Sequence, residues 1–176
     1  HKMALTKINS NSYSTLDATK LTGNLPAISG ASLTGISAGK IGQVASAVWS
    51  TETSTTSSSW TTTGHSVTMT PVATSSKILI LCNLADGYVN SGNYNLEVRP
   101  YSSIGGATAA QASAKTLLRV RYNVWTGSAG YNFLYSPNTT SAVVITNYFK
   151  ASNTGEVYYH NETSKGATLT LMEVLA

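Results

Sequence analysis

The sequence predicts an all-β protein with many turns. Its composition leans to Ser, Thr, Gly, Asn and Tyr, and it contains few strong helix formers. From about Gln43 onward, short runs of β-type residues alternate with turn signals. No helical patterns alternate with these runs, which argues against a parallel α/β fold. With 176 residues, of which 41% are hydrophobic, the chain can form either one globular domain with an extended arm or one large β domain.

The charge content narrows the possible partners. Only 10% of the residues are charged, well below the ~25% of an average soluble protein. The net charge of +4 arises from 11 basic and 7 acidic residues without a dense basic patch, so we expect no nucleic-acid partner. No apolar stretch approaches the ~20 residues of a membrane helix, so we expect no membrane insertion. The single cysteine, Cys82, excludes an intramolecular disulfide and a cysteine-based zinc cluster.

The chain is predicted to have two parts. His1 and Lys2 are interpreted as a remnant of expression, with Met3 as the natural start. Residues 3–42 contain no convincing helix or strand and are predicted to form an extended stalk. Residues 43–176 are predicted to form a β-sandwich head.

Evenly spaced apolar residues in the stalk point to association with other chains. Leu25-x-x-Ile28, Leu33-x-x-Ile36 and Ile41-x-x-Val44 repeat at a spacing of eight, between glycines and a proline that exclude a regular helix. A lone extended arm has no interior, whereas three arms wound together can bury such residues along an axis. The alternative is a disordered Gly/Ser linker. The predicted core of the trimeric stalk consists of Leu21, Leu25, Ile28, Leu33, Ile36, Ile41 and Val44.

Ten short strands are predicted in the head. Lys77–Cys82 is apolar on both faces, which indicates an inner strand buried in a sandwich core or against a neighbouring subunit. Ten short strands with loops at both ends favour a jelly-roll-like antiparallel sandwich. The predicted strands are 43–49, 58–62, 65–70, 77–83, 94–101, 116–124, 131–135, 142–149, 155–160 and 167–175.

Several segments resemble a known class of proteins. Leu16–Gly35 is similar to the stalk segments of tail fibre proteins of tailed bacteriophages, particularly marine phages, and Met3–Ile8 is similar to their openings. Parts of the head resemble the receptor-binding tip domains of such fibres. These parts are Trp60–Pro71 with Ser75–Ile80, Tyr135–Ala142 and Ala167–Val174. The matches cover about half of the chain, and residues between about 84 and 132 match nothing in that family.

The resemblance implies a homotrimeric fibre of the virion that is extracellular when it functions. The implied partners are two further copies of the chain, other virion tail proteins and a host cell-surface glycan or outer-membrane protein. The resemblance supplies no catalytic motif and no cofactor. It also makes strands 77–83 and 167–175 the expected inner strands around the three-fold axis, since three heterologous contacts can close into a ring.

Glu173 is a charge within an apolar strand, where an unpaired carboxylate is costly. We therefore predict a structural ion pair with a basic residue. An exposed glutamate at a sheet edge is the open alternative. The candidate partners are Arg99, Arg119 and Arg121.

The sequence offers little for catalysis, and we predict that the chain is not an enzyme. Glu97 and Glu173 could face each other across a sheet as glycosidase carboxylates do, but nearby arginines favour a structural ion pair. No Gly-x-Ser-x-Gly motif surrounds a serine. His65 and His160 show no metal-ligand spacing, and no metal site is predicted, although three copies of one histidine could meet on an axis. Cys82 is predicted to be a small buried apolar residue.

Binding is better supported than catalysis. Many of the 10 tyrosines lie beside Asn, Gly and Ser, and the segments 86–95 and 122–132 are predicted to be loops. Tyrosine and tryptophan offer flat apolar area with a polar edge, and Asn exchanges hydrogen bonds with sugar hydroxyls. The same tyrosines could instead pack in the sandwich, which we favour for Tyr122, Tyr135 and Tyr148. The candidate receptor-binding residues are Tyr88, Asn90, Asn93, Tyr94, Asn95, Trp125, Tyr131 and Asn132.

Three functions therefore compete at this stage. The first is non-catalytic attachment of a phage particle to a host surface. The second is a purely structural trimeric decoration or connector of the virion, without receptor contact. The third is a small depolymerase of host polysaccharide, which would require paired acidic residues along a groove.

Overall fold

The computed structural model describes residues 40–90, 94–113, 115–121, 129–153, 155–160 and 166–175. The chain divides after Ser37, and the second unit, residues 38–176, is compact. Within the described residues every regular element is a strand, and no helix there could span a membrane. In chain order the strands are β1 Ile41–Trp49, β2 Thr53–Thr55, β3 Thr61–Met69, β4 Lys77–Leu84, β5 Tyr88–Val89, β6 Asn95–Ile104, β7 Ala110–Gln111, β8 Leu118–Arg121, β9 Ala129–Tyr135, β10 Val143–Ala151, β11 Val157–His160 and β12 Ala167–Val174.

The strands form three antiparallel sheets. One sheet has four strands in the order β1-β12-β4-β9. A second has the order β3-β10-β6-β7, with β8 also paired to β6. A small third sheet has the order β2-β11-β5. The predicted all-β antiparallel class is confirmed.

The two larger sheets face each other across one apolar core. Strand alternation produces this core, because every second side chain of a strand points to the same side. In β4, Ile78 and Ile80 are fully buried while Leu79 and Leu81 between them are partly exposed. In β10, Val143, Ile145 and Phe149 fill the facing side of the other sheet. Strand β4 lies between β12 and β9, but Leu79 and Leu81 are partly exposed, so the burial of Lys77–Cys82 on both faces is not seen within the single chain.

The long strands pair in a nested order. The first long strand, β1, pairs with the last, β12, and β3 pairs with β10. Within these pairs, β4 pairs with β9 and β6 pairs with β8. The chain thus follows the course of a long antiparallel hairpin whose successive pairs alternate between the two sheets.

Strand β3 differs from the sequence-based prediction, which divided it into 58–62 and 65–70. A β-bulge joins the two runs. Thr62 pairs with Tyr148 and Ser66 pairs with Thr146, so the three residues 63–65 lie opposite the single residue Asn147. Gly64 in this bulge has a φ of 80°, which glycine adopts without the strain of a side chain. Thr63 replaces lost ladder bonds by donating from its hydroxyl to the Asn147 carbonyl at 2.8 Å.

The start of the head also differs from the prediction. Strand β1 begins at Ile41, and both Ile41 and Val44 belong to its ladder with β12. These two residues were assigned to the stalk core, and that assignment is wrong because they are part of the four-stranded sheet. The remaining predicted stalk residues lie outside the described part of the chain: Leu21, Leu25, Ile28, Leu33 and Ile36.

Glu173 is fully buried, and its predicted partners Arg99 and Arg119 contact other residues instead. Its carboxylate accepts hydrogen bonds from the Val72 backbone N–H at 2.7 Å and from Gln43 Nε2 at 2.8 Å. Arg99 in β6 and Arg119 in β8 belong to the other large sheet, and Arg119 pairs with Glu97 at 2.6 Å. Arg121 also belongs to that sheet through its backbone pairing, and its side chain lies outside the described residues.

These hydrogen bonds fasten the β3–β4 connection to the end of β12. Burial by itself raises the pKa of Glu173, but the bonds from Val72 and Gln43 outweigh it, so the pKa lies below its ordinary value of 4.5. Gln43 Nε2 also donates to the Thr70 carbonyl at 2.6 Å, which extends the same attachment. The carboxylate thus serves as a structural acceptor and needs no cation.

We predict that Glu173→Gln lowers the free energy of unfolding at pH 7 by about 1–3 kcal/mol, because one buried donor then faces an amide N–H instead of a carboxylate. The folded-state pKa is lowered, so the contribution of Glu173 is complete above 4.5 and is lost as pH falls through the folded value. The difference between variant and unmodified protein should therefore shrink on acidification. Urea unfolding measures both effects, with the exposed Glu52→Gln as the control. An unchanged stability at pH 7 would contradict this role for Glu173.

Candidate functional site

Four of the predicted receptor-binding residues lie along one segment of the chain, residues 152–158. Tyr88 in β5 pairs with Tyr158 in β11, with their ring centres 5.8 Å apart. Asn90 donates from its side chain to Glu156 at 3.0 Å, and from its backbone to the Glu156 carbonyl at 3.1 Å. We call this group the tyrosine edge: Tyr88, Asn90, Tyr94, Asn95, Glu156 and Tyr158.

The other two predicted residues of the tyrosine edge are anchored by the same segment. Asn95 donates to the Ser152 hydroxyl from both its backbone and its side chain, at 2.9 and 3.2 Å. The Tyr94 ring lies against Gly155 so closely that a Cβ there would come within 1.9 Å of the ring. Gly155 therefore permits an approach that no other residue would allow without movement of the ring. Internal contacts thus hold much of this edge.

The remaining predicted residues lie elsewhere. Tyr131 points into the core, where only 8% of it is exposed and its hydroxyl donates to Asn147. It is therefore inaccessible to a receptor, and we remove it from the candidate set. Asn132 is exposed on the outer side of the four-stranded sheet, beside Leu81 in the ladder. Asn93 and Trp125 lie outside the described residues.

The outer side of the four-stranded sheet carries apolar side chains in register across all four strands. Val44 pairs with Met172, Met172 with Leu79, and Leu79 with Leu134. Val44 is 57% exposed and Leu134 is 47% exposed. We call this surface the apolar face: Val44, Val48, Leu79, Leu81, Leu134, Met172 and Val174.

A shallow hollow of about 240 Å³, lined by both apolar and polar groups, interrupts the apolar face. It lies between β4, β9 and β12. Gly130 lines it, and a Cβ at this position would come within 2.6 Å of the Cys82 carbonyl. The polar side chains around the hollow are Asn83, Asn132, Thr168 and Thr170. These groups supply no nucleophile paired with a base, so the hollow offers hydrogen bonds rather than chemistry.

The outer side of the five-stranded sheet carries a cluster of aromatic and cationic side chains. The Arg99 guanidinium lies 3.8 Å from the centre of the Trp60 ring, and Lys150 Nζ lies 5.3 Å from it. Tyr101 and Tyr148 stack with ring centres 4.0 Å apart and planes 23° apart. We call this group the aromatic platform: Trp60, Arg99, Tyr101, Tyr148 and Lys150.

One buried carboxylate organises the charges at the border of the aromatic platform. Glu97 accepts from Arg119 at 2.6 Å and lies 3.4 Å from Lys150. Arg99 donates to the Gln111 side chain at 2.7 Å. Two cations therefore pair with one carboxylate, and Arg99 on the same side of the sheet makes the local charge positive.

None of the aromatic platform residues was among the predicted receptor-binding residues, and Tyr148 was assigned to packing. The alternation along single strands indicated part of this cluster. Glu97, Arg99 and Tyr101 share one face of a strand. Tyr148 and Lys150 share one face of another. The cross-strand register that joins them, Tyr148 opposite Arg99 and Lys150 opposite Glu97, could not be read from one sequence.

A neutral hydrogen-bond network occupies the centre of the sandwich. Asn147 Nδ2 donates to the Tyr159 hydroxyl at 2.6 Å and to Cys82 Sγ at 3.2 Å, while Asn147 Oδ1 accepts from Tyr131. His65 lies 2.8 Å from the Tyr159 hydroxyl through Nδ1. The network links strands of both large sheets to β11.

The protonation of His65 follows from its partners. Its Nε2 lies 3.2 Å from the Ala47 carbonyl, which only accepts, so Nε2 carries the proton and Nδ1 accepts from Tyr159. Burial lowers the pKa of His65, which keeps the imidazole neutral. Burial also raises the pKa of the Cys82 thiol to about 11. Both groups are therefore held in inert forms, as predicted for Cys82.

The other groups considered for chemistry are also separated. Glu97 and Glu173 lie in different sheets with separate structural partners, so they do not form a catalytic pair. His160 is fully buried within the chain, as is His65, so neither is placed to meet its copies at a surface. The part of the chain that the structure describes contains no group of three His, Cys, Asp or Glu side chains arranged to hold a metal ion.

No protein-family model matches the chain, and no curated protein matches its sequence.

Proposed function

We propose that the chain is a homotrimeric, non-catalytic fibre protein that attaches a bacteriophage particle to its host cell. The observation that carries this proposal is the apolar face, in which Val44, Met172, Leu79 and Leu134 form one row across four strands. A contiguous exposed apolar surface of this kind marks an interaction site. A neighbouring subunit would bury it.

We infer that the head has jelly-roll connectivity. The nested pairs β1–β12, β3–β10, β4–β9 and β6–β8 support this, because an antiparallel hairpin rolled over a core yields two sheets with these neighbours. When the three strands of the small sheet and the two-residue β7 are left out, eight strands remain. Numbered in chain order, the first, eighth, third and sixth of them form the four-stranded sheet. The small sheet β2-β11-β5 is an addition at one side.

A trimer accounts for the two apolar features of the chain together. The apolar face offers a heterologous contact, and three such contacts close into a ring. The repeat of Leu and Ile predicted for the stalk also favours association with partner chains. The resemblance of Leu16–Gly35 and Ala167–Val174 to phage fibres favours three copies.

Attachment, rather than catalysis, fits the placement of the reactive groups. His65 and Cys82 are held neutral in the buried network. The tyrosine edge and the aromatic platform, in contrast, present partly exposed aromatic rings. Weak contacts of this type gain strength by avidity when three copies act in one fibre. The expected location is the virion, with other tail proteins as partners of the stalk.

A structural connector without receptor contact is the second candidate. The observation that favours it is the internal satisfaction of the tyrosine edge, since Asn90 is bonded to Glu156 and Asn95 to Ser152. Polar side chains held in this way contribute to stability without any partner.

We predict that, in a chain that begins at Lys40 and so lacks the stalk, Leu134→Lys prevents assembly while the subunit still folds. The side chain is 47% exposed, so a lysine is tolerated in a free subunit but places a charge in the apolar contact. For the same shortened chain without the substitution, the midpoint of thermal unfolding should rise with protein concentration, as expected for an oligomer. For the variant it should not. The control is Thr68→Lys, at an exposed position on the other large sheet. A concentration dependence that survives in Leu134→Lys would rule out this contact.

We predict that the fluorescently labelled protein binds saturably to cells of at least one member of a panel of marine bacteria. Tyr88→Ala combined with Asn90→Ala should reduce that binding about tenfold, since loss of an aromatic contact and a polar contact costs ~1.4 kcal/mol or more. Thr68→Ala is the matched surface control. Saturable binding that is unaffected by the paired substitution would exclude the tyrosine edge as the contact. Absence of binding across the panel would favour the structural connector.

A further inference from the structure

The aromatic platform combines flat rings with an excess of positive charge. Arg99, Arg119 and Lys150 are cationic, and Glu97 is the single carboxylate among them. Glu97 and Arg99 have only 7% and 9% of their surface exposed, although both point to the outer side of the sheet. The ring of Trp60 and the long side chains around it cover them.

The other side chains of this cluster are more accessible to solvent than Glu97 and Arg99 are. Half of the Arg119 side chain and a quarter of the Lys150 side chain are exposed. Trp60, Tyr101 and Tyr148 are partly exposed. A ligand would therefore meet aromatic surface flanked by two cationic tips, with the guanidinium of Arg99 beneath it.

Arg99 carries a further sign of a specialised arrangement. Its Nε atom is buried and has no hydrogen-bond partner within the described residues. Its guanidinium nevertheless lies against the Trp60 ring at 3.8 Å and donates to Gln111. The favourable cation–π contact offsets part of the desolvation of the guanidinium. Arg99 is thus a positioning residue that fixes the plane of Trp60.

We propose that the aromatic platform binds a carboxylate-bearing sugar, such as a uronic acid residue of an acidic polysaccharide. This inference rests on the proposed function, because the host surface would present the polysaccharide. The apolar faces of the sugar rings pack on Tyr148, Tyr101 and the edge of Trp60. The carboxylate accepts charge-assisted hydrogen bonds from Lys150 and Arg119.

The charge pattern selects an acidic sugar over two other ligands. A neutral sugar would not use the two cationic tips. A single-stranded nucleic acid would also stack on aromatic rings, but its phosphates follow a continuous basic groove. Here the cations surround one point next to the Glu97 carboxylate, and the whole chain has a net charge of only +4. The site therefore fits an isolated carboxylate on a sugar ring.

Calorimetric titration of the full chain with tetragalacturonate tests this inference. The matched neutral probe is the fully methyl-esterified tetragalacturonate, which keeps the sugar skeleton and removes the negative charges. We expect the acid form to bind about tenfold or more tightly than the ester, since a hydrogen bond to a charged group contributes about 1.5–3 kcal/mol. Added salt should weaken the binding of the acid form.

Two substitutions separate binding from stability. Lys150→Gln and Arg119→Gln should each weaken binding of tetragalacturonate about tenfold, without loss of binding by the ester. Lys40→Gln removes the same charge at an exposed position outside the aromatic platform and should change little. Thermal unfolding of each variant verifies that it is folded. Trp60→Phe should weaken binding of both probes, because it reduces the stacking surface.

Four results would overturn the inference. They are equal affinity for acid and ester, no affinity for either probe, affinity unchanged by Lys150→Gln and Arg119→Gln, and tighter binding of an oligothymidylate than of tetragalacturonate.

Failure of the proposed function can be distinguished from failure of this inference. If labelled protein binds bacterial cells but no uronate, attachment stands and the platform assignment falls. If it binds uronate but no cells, the platform assignment stands without the attachment function.

Discussion

A row of apolar side chains crosses the outer face of the four-stranded sheet, whose inner face is already buried in the core. The inner face packs against the other large sheet, and its residues Ile78 and Ile80 are fully buried. The outer face has no covering element among the described residues, yet Val44, Leu79 and Leu134 lie in register there with Met172. Exposed apolar surface is unfavourable in water and is typical of interaction sites. Burial of this row by a neighbouring subunit is the basis of the proposed assembly.

The interior supports the proposal that the chain acts by binding rather than by catalysis. Asn147 is the centre of a network whose members come from both large sheets and from β11. In this network His65 and Cys82 are buried in neutral forms, which are poor acids, bases and nucleophiles at neutral pH. A fully satisfied buried network also specifies how the sheets are aligned. The surfaces of the sandwich are therefore rigidly supported, which lowers the entropic cost of presenting aromatic side chains to a ligand.

Features of this structure could be predicted from the sequence where they depend on residues close together in the chain, and not where they depend on residues in different strands. Local alternation was sufficient for the strand class and for the burial of Cys82. Relations across strands were not predictable, because one sequence contains no register. Glu173 was therefore assigned an arginine partner, whereas Val72 and Gln43 supply its hydrogen bonds. The aromatic platform was missed for the same reason, since its members come from several strands and a preceding loop.

The solution mass of the unmodified full chain, measured by light scattering, tests the central claim most directly. Three chains of 18.5 kDa would together weigh about 55.5 kDa, and the account predicts a stable species of this mass. The same measurement on a chain that begins at Lys40 would determine whether the apolar face alone holds the subunits together. A full chain that remains at 18.5 kDa over a wide range of concentration would contradict the account, because the apolar face would then have no partner.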